Sequence, residues 1–411
     1  MFSVRTSPLD DVPAVHGGHP VFSRRFRFNQ PLLPPLPAVM QNYLAAYMNG
    51  LITNAAVVER LEDAAADLLQ VNHCIAVSSC TSGLTMVVRA LGLTGEVIIP
   101  SFTFFATGHA VLWNGLRPVF ADCNEETWNV DPIDVERKIT SRTSAILAVH
   151  LYGNPCDIEG LVKLASRHRL KLIFDAAHSF GSQYRGRSIG QFGDAEIFSL
   201  SPTKLLVAGE GGLIATNDAS LALTLRAMRN YGDTGDYNPK WLGMNARLSE
   251  FNAALALAGL SMTDAKVKRR NQIAQMYTDL LSFVPGLGFQ RVHPEDVSTY
   301  KDYSVHVTAE TFGLSRDELA GALLAENIET RKYFYPPLHK QKLYQTFYDP
   351  ARDNLSHTDV VADAILSLPM YESIPDATVE SIAHAIQRLA QYETADKSSS
   401  PGRSFRRAAG S

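Results

Sequence analysis

The sequence has few cysteines, little net charge and no long apolar run, and each of these absences excludes a class of protein. Only four of the 411 residues are cysteines and no two form a CxxC pair, so neither a disulfide framework nor a zinc site is predicted. The net charge of −4 gives no overall attraction to nucleic acid or to an anionic membrane. Neither a membrane-spanning run nor the apolar region of a signal peptide is present. We therefore expect a soluble, cytoplasmic protein in a reducing compartment.

Length and composition predict two or three folded units. With 45% hydrophobic and 19% charged residues, the chain can bury a large core and lacks the composition of a disordered protein. Prolines and glycines interrupt any regular pattern near the N-terminus, and the last residues are small, polar and basic. The predicted units are an N-terminal arm (1–30), a large domain (31–262), a smaller C-terminal domain (263–395) and a disordered tail (396–411).

Short apolar runs alternate with helical patterns through the large domain. Seven runs are predicted to be strands, at 74–77, 96–100, 117–122, 144–150, 171–175, 195–200 and 211–216. Amphipathic segments precede and separate them, from Val57 to Leu69 and at 81–91, 103–114, 132–139 and 157–168. Strands that are apolar on both faces indicate a mostly parallel sheet covered by helices. We predict an α/β fold with a smaller α+β domain behind it.

Three polar residues lie at the ends of predicted strands in the second half of this domain. Asp175 ends the strand KLIFD, at the sheet edge where open α/β sheets bind ligands. Ser199 and Lys204 lie at the end of the next predicted strand and precede a GEGG turn at 209–212. A lysine drawn into a dry pocket has a lowered pKa and can form a Schiff base, whereas on a surface loop it would be an inert cation. Position alone does not decide between these roles for Lys204.

Hydroxyl residues surround the junction between the first strand and the helix after it. The segment from Ser78 to Ser82 could bind a phosphate through backbone N–H groups and the positive end of the helix dipole. An ordinary helix N-cap explains the same residues. Combined with Asp175, Ser199 and Lys204, however, the segment matches the requirements of pyridoxal 5′-phosphate, namely an anion site, a carboxylate for the pyridine nitrogen and an amine for the aldehyde.

Several ordered blocks extend this pattern over residues 40–390. They are LITNAAVVERLE (51–62), IIPSFTFFAT (98–107), VHLYGNPCDI (149–158), FDAAHSFG (174–181), FGDAEIFSLSPTK (192–204), GEGG (209–212), RNYG (229–232), GMNARLSE (243–250) and RKYFYPPLH (331–339). With these blocks the chain resembles the DegT/DnrJ/StrS family of sugar aminotransferases. The resemblance implies the aspartate-aminotransferase type fold, known as fold type I, and pyridoxal phosphate as cofactor.

Carried onto this sequence, the resemblance assigns the reaction to Lys204 and Asp175. Lys204 would hold the cofactor aldehyde as a Schiff base and then move the proton, while Asp175 would keep the pyridine nitrogen protonated. Ser199, Thr81, and the backbone near Cys80 and Ser82 would hold the phosphate.

Four further assignments follow from the same resemblance. Phe104 would stack on the cofactor ring, with Phe105 as the alternative. His178 stands where many relatives have glutamine and would donate to the phenolic oxygen. Asn245 would reach the phosphate of a neighbouring subunit, which implies a homodimer with shared sites. Cys80 replaces a common glycine, and we interpret its side chain as packing rather than as a reactive thiol.

The resemblance implies ping-pong transamination from L-glutamate to a nucleotide-linked keto-deoxy sugar, most like relatives that aminate C4. Arg331, Tyr333 and His339 are then candidate substrate contacts, although Arg331 could equally form a surface salt bridge. A C3 sugar aminotransferase and a cyclitol aminotransferase share every cofactor residue and stay open. Lys204 argues against the dehydratases of the family, which carry histidine there, and a non-catalytic relative would have no need of Asp175 and Ser199.

Overall fold

A computed structural model gives the structure of residues 12–350 and 353–399. The start of the predicted arm and residues 400–411 of the predicted tail lie outside this range, whereas residues 396–399 continue the last helix. None of the described helices is both long and apolar enough to cross a membrane.

Between residues 12 and 216 the structure contains nine strands, and seven of them form one sheet. The strands are β1 (His73–Val77), β2 (Glu96–Pro100), β3 (Arg117–Ala121), β4 (Thr143–Val149), β5 (Lys171–Asp175), β6 (Gln183–Tyr184), β7 (Arg187–Ser188), β8 (Ala195–Ser199) and β9 (Gly212–Thr216). The sheet order is β1-β9-β8-β5-β4-β2-β3, with only β9 antiparallel to its neighbours, and β6 pairs with β7 in a separate hairpin. The predicted α/β fold with a mostly parallel sheet is confirmed.

Helices cover both faces of the large sheet. They are α1 (Leu36–Asn49), α2 (Ala56–Leu69), α3 (Cys80–Ala90), α4 (Phe105–Trp113), α5 (Pro132–Lys138), α6 (Ile158–His168), α7 (Ala219–Met228) and α8 (Glu250–Leu260). Successive side chains of a strand point to opposite faces. Accordingly Cys74 and Ala76 of β1 join one hydrophobic core, while Ile75 and Val77 join the other. Two buried faces explain why these strands are apolar throughout.

A second, smaller sheet organises the C-terminal part of the chain. Its elements are α9 (Thr263–Leu281), β10 (Leu287–Phe289), β11 (Tyr303–Val307), α10 (Ala309–Phe312), α11 (Arg316–Ala325), α12 (Ser356–Ala364), β12 (Ile365–Leu368) and α13 (Asp376–Ser399). The three strands pair antiparallel in the order β10-β11-β12. A separate core around Ile273, Leu319, Leu366 and Ile386 lies on this sheet. The domain boundary at residue 263 stays a prediction, and α9 begins there.

The described part of the N-terminal arm packs on this smaller sheet's core. Phe22 and Phe26 are buried in that core, and Phe26 bridges Ile328 in parallel. The backbone N–H of Phe28 donates to Glu329 Oε2 at 3.3 Å. The arm therefore contacts its own chain, close to the segment that contains Arg331.

Candidate active site

The carboxyl edge of the large sheet carries a cavity of about 320 Å³, hereafter the inner cavity. Asp175 ends β5 and Ser199 ends β8, and the two strands pair in parallel, so both residues lie at this edge. The start of α3 and the turn after β8 complete the cavity. Its lining includes Ser79, Cys80, Thr81, Asp175, Ser199 and Lys204. The structure thus brings together residues that are more than 120 positions apart in sequence, from Ser79 to Lys204.

Asp175 is a buried carboxylate that has hydrogen-bond donors but no cation bound to it. Thr107 Oγ1 donates to Oδ2 at 2.8 Å and the Ala177 N–H donates to Oδ1 at 3.1 Å. Burial raises the pKa of Asp175, and the bonds from Thr107 and Ala177 oppose that rise. Among the described residues, none forms a salt bridge with Asp175. A protonated ring nitrogen would supply the missing positive charge.

Lys204 has the properties of an amine nucleophile. It is half-buried, lines the inner cavity and has its backbone N–H bonded to the Ser201 carbonyl at 3.0 Å. Desolvation lowers the pKa of Lys204 to about 8, and the nearby ammonium of Lys301 contributes to the decrease. A larger fraction of the amine is therefore neutral near neutral pH than on a surface lysine, and the neutral form is the one that attacks a carbonyl.

The start of α3 combines a helix cap with a possible anion site. Ser79 Oγ accepts from the Ser82 N–H at 3.0 Å, and Ser82 Oγ accepts from the Ser79 N–H at 3.1 Å, so the two serines form a capping box. Cys80 and Thr81 open the helix, where no preceding turn can accept their N–H groups. The predicted cap is thus present, and it leaves those two N–H groups for an anion. Ser82 itself does not line the inner cavity.

Gly212 allows strand β9 to pass close to this helix start. A Cβ on Gly212 would lie 2.7 Å from the Cys80 nitrogen, which is closer than real side chains approach. Ser199, opposite Gly212 in the ladder, is buried and faces the cavity. The close approach keeps Ser199 next to the N–H groups of α3, on the same side of the cavity.

His178 is a buried, neutral imidazole with a defined tautomer. The Tyr152 N–H donates to Nδ1 at 3.2 Å, so Nδ1 is the acceptor and the ring proton is on Nε2. Burial and the charges of Lys204 and Lys301 lower the pKa of His178 well below its usual range. The ring lines the inner cavity and stacks on Phe334 at a centroid distance of 6.2 Å. It can donate one hydrogen bond from Nε2.

A larger cavity of about 1010 Å³, hereafter the outer cavity, adjoins the inner one. Phe104 lines both cavities, whereas Phe105 lines only the outer one, which favours Phe104 as the residue that stacks on the cofactor. Arg331 and Tyr333 also line the outer cavity. Arg331 Nη2 lies 3.7 Å from Glu329 Oε2 as well, so both roles considered for Arg331 agree with its position.

His339 does not line either cavity, contrary to its predicted role as a substrate contact. It is 2% exposed, and its Nδ1 lies 2.7 Å from Ser101 Oγ. Nε2 on the other side of the ring lies 3.0 Å from Asp359 Oδ1. The block RKYFYPPLH turns inward after its prolines, so this imidazole joins the end of β2 to helix α12 instead of facing a ligand.

Asn245 also lies outside the inner cavity of its own chain. It is exposed, accepts from Arg247 Nε at 3.2 Å and bridges Asn230 through the backbone. Its predicted contact with the phosphate of a neighbouring subunit stays a prediction.

Two residues of the site were not identified from the sequence. Thr107 orients Asp175, and its hydroxyl lies 3.2 Å from that of Thr103, which precedes helix α4. Two threonines at this spacing after a strand are a weak signal that could have been used. Lys301 lines the inner cavity from the irregular segment before β11, where no sequence pattern indicates its orientation.

Comparison with known proteins agrees with this geometry. A profile of the DegT/DnrJ/EryC1/StrS aminotransferase family matches residues 38–387. The dTDP-4-amino-4,6-dideoxy-D-glucose transaminase of Escherichia coli is 34% identical over 357 residues, 86% of this chain and 95% of that protein. The dTDP-3-amino-3,6-dideoxy-alpha-D-galactopyranose transaminase of Aneurinibacillus thermoaerophilus is 35% identical over 77% of this chain and 85% of that protein.

A solved structure extends the comparison to the fold. The crystal structure of DesI in the presence of its TDP-sugar product has a TM-score of 0.88 and 35% sequence identity, and the match covers 95% of this chain and 100% of that chain. These relatives and structural neighbours are aminotransferases of the pyridoxal-phosphate-dependent type. The resemblance predicted from the sequence blocks is confirmed: the chain belongs to the DegT/DnrJ/EryC1/StrS aminotransferase family.

Proposed function

We propose that this protein uses pyridoxal phosphate to transfer an amino group from L-glutamate to the C4 keto group of a nucleotide-linked deoxy sugar. The observation that carries the proposal is the Lys204 amine, with a pKa lowered to about 8, in one cavity with the buried Asp175 carboxylate. Desolvated lysines of this kind act as carbonyl nucleophiles, and a nearby carboxylate without a cation suits a protonated pyridine nitrogen.

The polar groups of the inner cavity fit the three ends of the cofactor. Lys204 would bind the aldehyde, Asp175 the pyridine nitrogen, and Ser199 with the N–H groups of Cys80 and Thr81 the phosphate. Bound there, pyridoxal phosphate supplies an electron sink for the electrons of the substrate's Cα–H bond.

Side chains of the protein itself accept and donate the protons of the reaction. With a pKa near 8, the Lys204 amine can accept a proton from the substrate carbon and return it, because its neutral and charged forms differ little in free energy near neutral pH. His178, neutral and protonated on Nε2, can donate to the phenolic oxygen without adding charge. Thr107 holds Asp175 in place through its hydroxyl.

The outer cavity is the candidate site for the nucleotide-linked sugar. Its 1010 Å³ exceeds what an amino acid fills, and its lining includes the cations Arg25, Arg331 and Lys332, which suit a diphosphate. The E. coli relative is named for a 4-amino sugar, in agreement with C4. The Aneurinibacillus relative is named for a 3-amino sugar, and C3 is therefore the second candidate position.

The proposal includes a homodimer with shared sites. Apolar side chains on α1 are exposed in the single chain: Leu36 by 68%, Leu44 by 50% and Met48 by 78%. Contiguous apolar exposure of this kind is typical of a surface covered by a partner. Asn245, which is exposed on its own chain, would in this dimer contact the partner's phosphate. Sedimentation equilibrium of the purified protein tests this part, and a monomer at micromolar concentration would contradict it.

An assay of both substrates tests the reaction. We expect purified holoprotein to convert keto-deoxy sugars linked to dTDP, UDP or GDP into amino sugars when L-glutamate is supplied. Product mass and NMR give the aminated carbon: an axial or equatorial amine at C4 supports the main proposal, and one at C3 supports the second candidate. Borohydride reduction followed by peptide mapping should find the cofactor on Lys204. No amination of any keto sugar, despite bound cofactor, would overturn the proposed function.

A further inference from the structure

The inner cavity contains a second lysine that none of the roles above uses. Lys301 lies just before β11, is 5% exposed, and lines the cavity together with Lys204 and His178. Its backbone N–H donates to the Tyr152 carbonyl at 2.8 Å, which fixes the residue against the turn after β4. A lysine is rarely buried without a partner or a task, because removing its charge from water is costly.

Asp302 partly neutralises this cation. Lys301 Nζ lies 2.9 Å and 3.0 Å from the two carboxylate oxygens of Asp302, and 5.1 Å from the ring centroid of Tyr333. An ammonium has three N–H donors, and one carboxylate accepts at most two of them at these distances. The pair can therefore stay buried without a ligand and still offer a donor to an anion in the cavity.

The position of Lys301 next to Lys204 defines which anion it can reach. In an α-amino acid the carboxylate is attached to the same carbon that carries the amino group, so it must lie beside the amine that removes the proton from that carbon. Lys301 is the cation beside Lys204 in this cavity, and its charge is close enough to lower the pKa of Lys204. We propose that Lys301 binds the α-carboxylate of the amino donor in the inner cavity.

Other anions fit this position less well. The phosphate site at the start of α3 is built from Ser79, Cys80, Thr81 and Ser199, and Lys301 forms no hydrogen bond with any of them. A nucleoside diphosphate needs more room than 320 Å³, and the larger outer cavity has its own cations. The remaining anions of the proposed reaction are the two carboxylates of L-glutamate, and of these only the α-carboxylate is attached to the carbon that reacts beside Lys204.

The inference rests on the proposed use of L-glutamate, and the donor half-reaction tests it without any sugar. Holoprotein is mixed with L-glutamate or with γ-aminobutyrate, which lacks the α-carboxylate, and the change in cofactor absorbance gives kcat/KM for each. We expect Lys301→Met to lower the value for L-glutamate about 100-fold and that for γ-aminobutyrate less than about threefold, since a charged hydrogen bond is lost only with L-glutamate. Glutarate binding, measured by calorimetry, should weaken about tenfold or more in the same variant.

Two further variants complete the design. Lys301→Arg keeps the charge but changes the geometry, so we expect it to retain part of the preference for L-glutamate over γ-aminobutyrate. If the Lys301→Met variant does not fold, the arginine variant is used for the test instead. Lys138→Met removes a mostly buried lysine that pairs with Asp353 and lines neither cavity, and it should leave the ratio of the two donors unchanged.

The possible outcomes distinguish a failure of the inference about Lys301 from a failure of the proposed function. Equal losses with both donors would overturn the inference, because a structural role affects every substrate alike. A normal donor half-reaction with a weakened sugar half-reaction would overturn it in favour of a diphosphate contact. If the wild-type protein failed to react with L-glutamate, the proposed function would be overturned. The glutarate titration would still show whether Lys301 binds a carboxylate.

Discussion

The inner and outer cavities share a wall at Phe104, Tyr333 and Phe334 but are built in different ways. In the inner cavity Asp175 and Ser199 each end a strand and Cys80 begins a helix, while Lys204 and His178 lie on the turns that directly follow strands of the same sheet. Much of the outer cavity comes from residues 329–336, which belong to no helix or strand. In the proposed reaction, the chemistry would take place at the edge of the large sheet, and the irregular segment beside it would select among substrates.

The difference extends to solvation. Asp175 and His178 are less than 9% exposed, and burial changes the pKa of each, whereas Arg331 is exposed to solvent. Charged groups interact more strongly in a dry site than at a wet surface. We therefore expect inner-cavity substitutions to change the rate of reaction and outer-cavity substitutions to change affinity for the sugar.

The largest expected effect is that of Lys204→Ala. Without the amine, the protein loses both its bond to the cofactor and its proton acceptor, and we expect turnover to fall roughly 10⁴-fold. Steady-state amination of the sugar measures this. Lys163→Ala, which removes an exposed lysine paired with Glu159 on α6, is the control and should keep wild-type turnover. Turnover within tenfold of wild type in Lys204→Ala would remove the basis for assigning chemistry to the inner cavity.

A smaller effect is expected for Thr107→Val, which is nearly isosteric but lacks the hydroxyl that donates to Asp175 at 2.8 Å. A hydrogen bond to a charged group contributes about 1.5–3 kcal/mol, so kcat should fall about 10- to 100-fold while KM for the sugar stays constant. Thr394→Val, at an exposed position of α13, is the matched control. A change in KM for the sugar without a change in kcat would mean that Thr107 affects sugar binding and not the reaction at the inner cavity.

The pH dependence of cofactor uptake follows from the pKa of Lys204. The pKa of Lys204 is about 8 instead of 10.5. As the pH rises, the fraction of Lys204 in the neutral form therefore increases about tenfold per pH unit up to pH 8, and little above it. The rate at which apoprotein combines with pyridoxal phosphate should therefore rise up to about pH 8 and then level off. Since the charge of Lys301 lowers this pKa, Lys301→Met should move the plateau to higher pH. Stopped-flow absorbance gives both curves, and a rate still rising tenfold per unit above pH 9 would contradict the assignment.

The smallest kinetic effect is expected at His339, and Arg331 provides the contrast. His339→Ala removes a buried contact with Ser101 and should lower the free energy of unfolding by about 1–3 kcal/mol, with kcat and KM within about threefold of wild type. Arg331→Ala should instead raise KM for the nucleotide sugar about tenfold and leave stability nearly unchanged. Urea unfolding and steady-state kinetics measure both. His168→Ala, exposed on α6, controls for loss of an imidazole. A higher KM for the nucleotide sugar in His339→Ala would indicate that His339 contacts the substrate after all.

The fold was predictable from the sequence where burial imposes a pattern. The strand runs are apolar because both sheet faces are covered, and Asp175 and Lys204 stand out because polar residues follow such runs. Helix α1 was not predicted, since its apolar side chains face outward and show no clear periodicity. In the segment around His339 no repeat indicates which side chain points inward, and the orientation of Lys301 depends on Tyr152, which is distant in sequence.

The pairing of the N-terminal arm with residues 326–329 has a consequence for synthesis of the chain. Phe28 and Glu329 are bonded across 301 positions, and the guanidinium of Arg331 lies over the Phe28 ring at 5.4 Å. The ribosome releases the arm about 300 residues before the segment on which it docks, so these phenylalanines stay exposed until most of the polypeptide has emerged. The wall of the outer cavity around Arg331 can therefore be completed only after every strand of the large sheet has been synthesised.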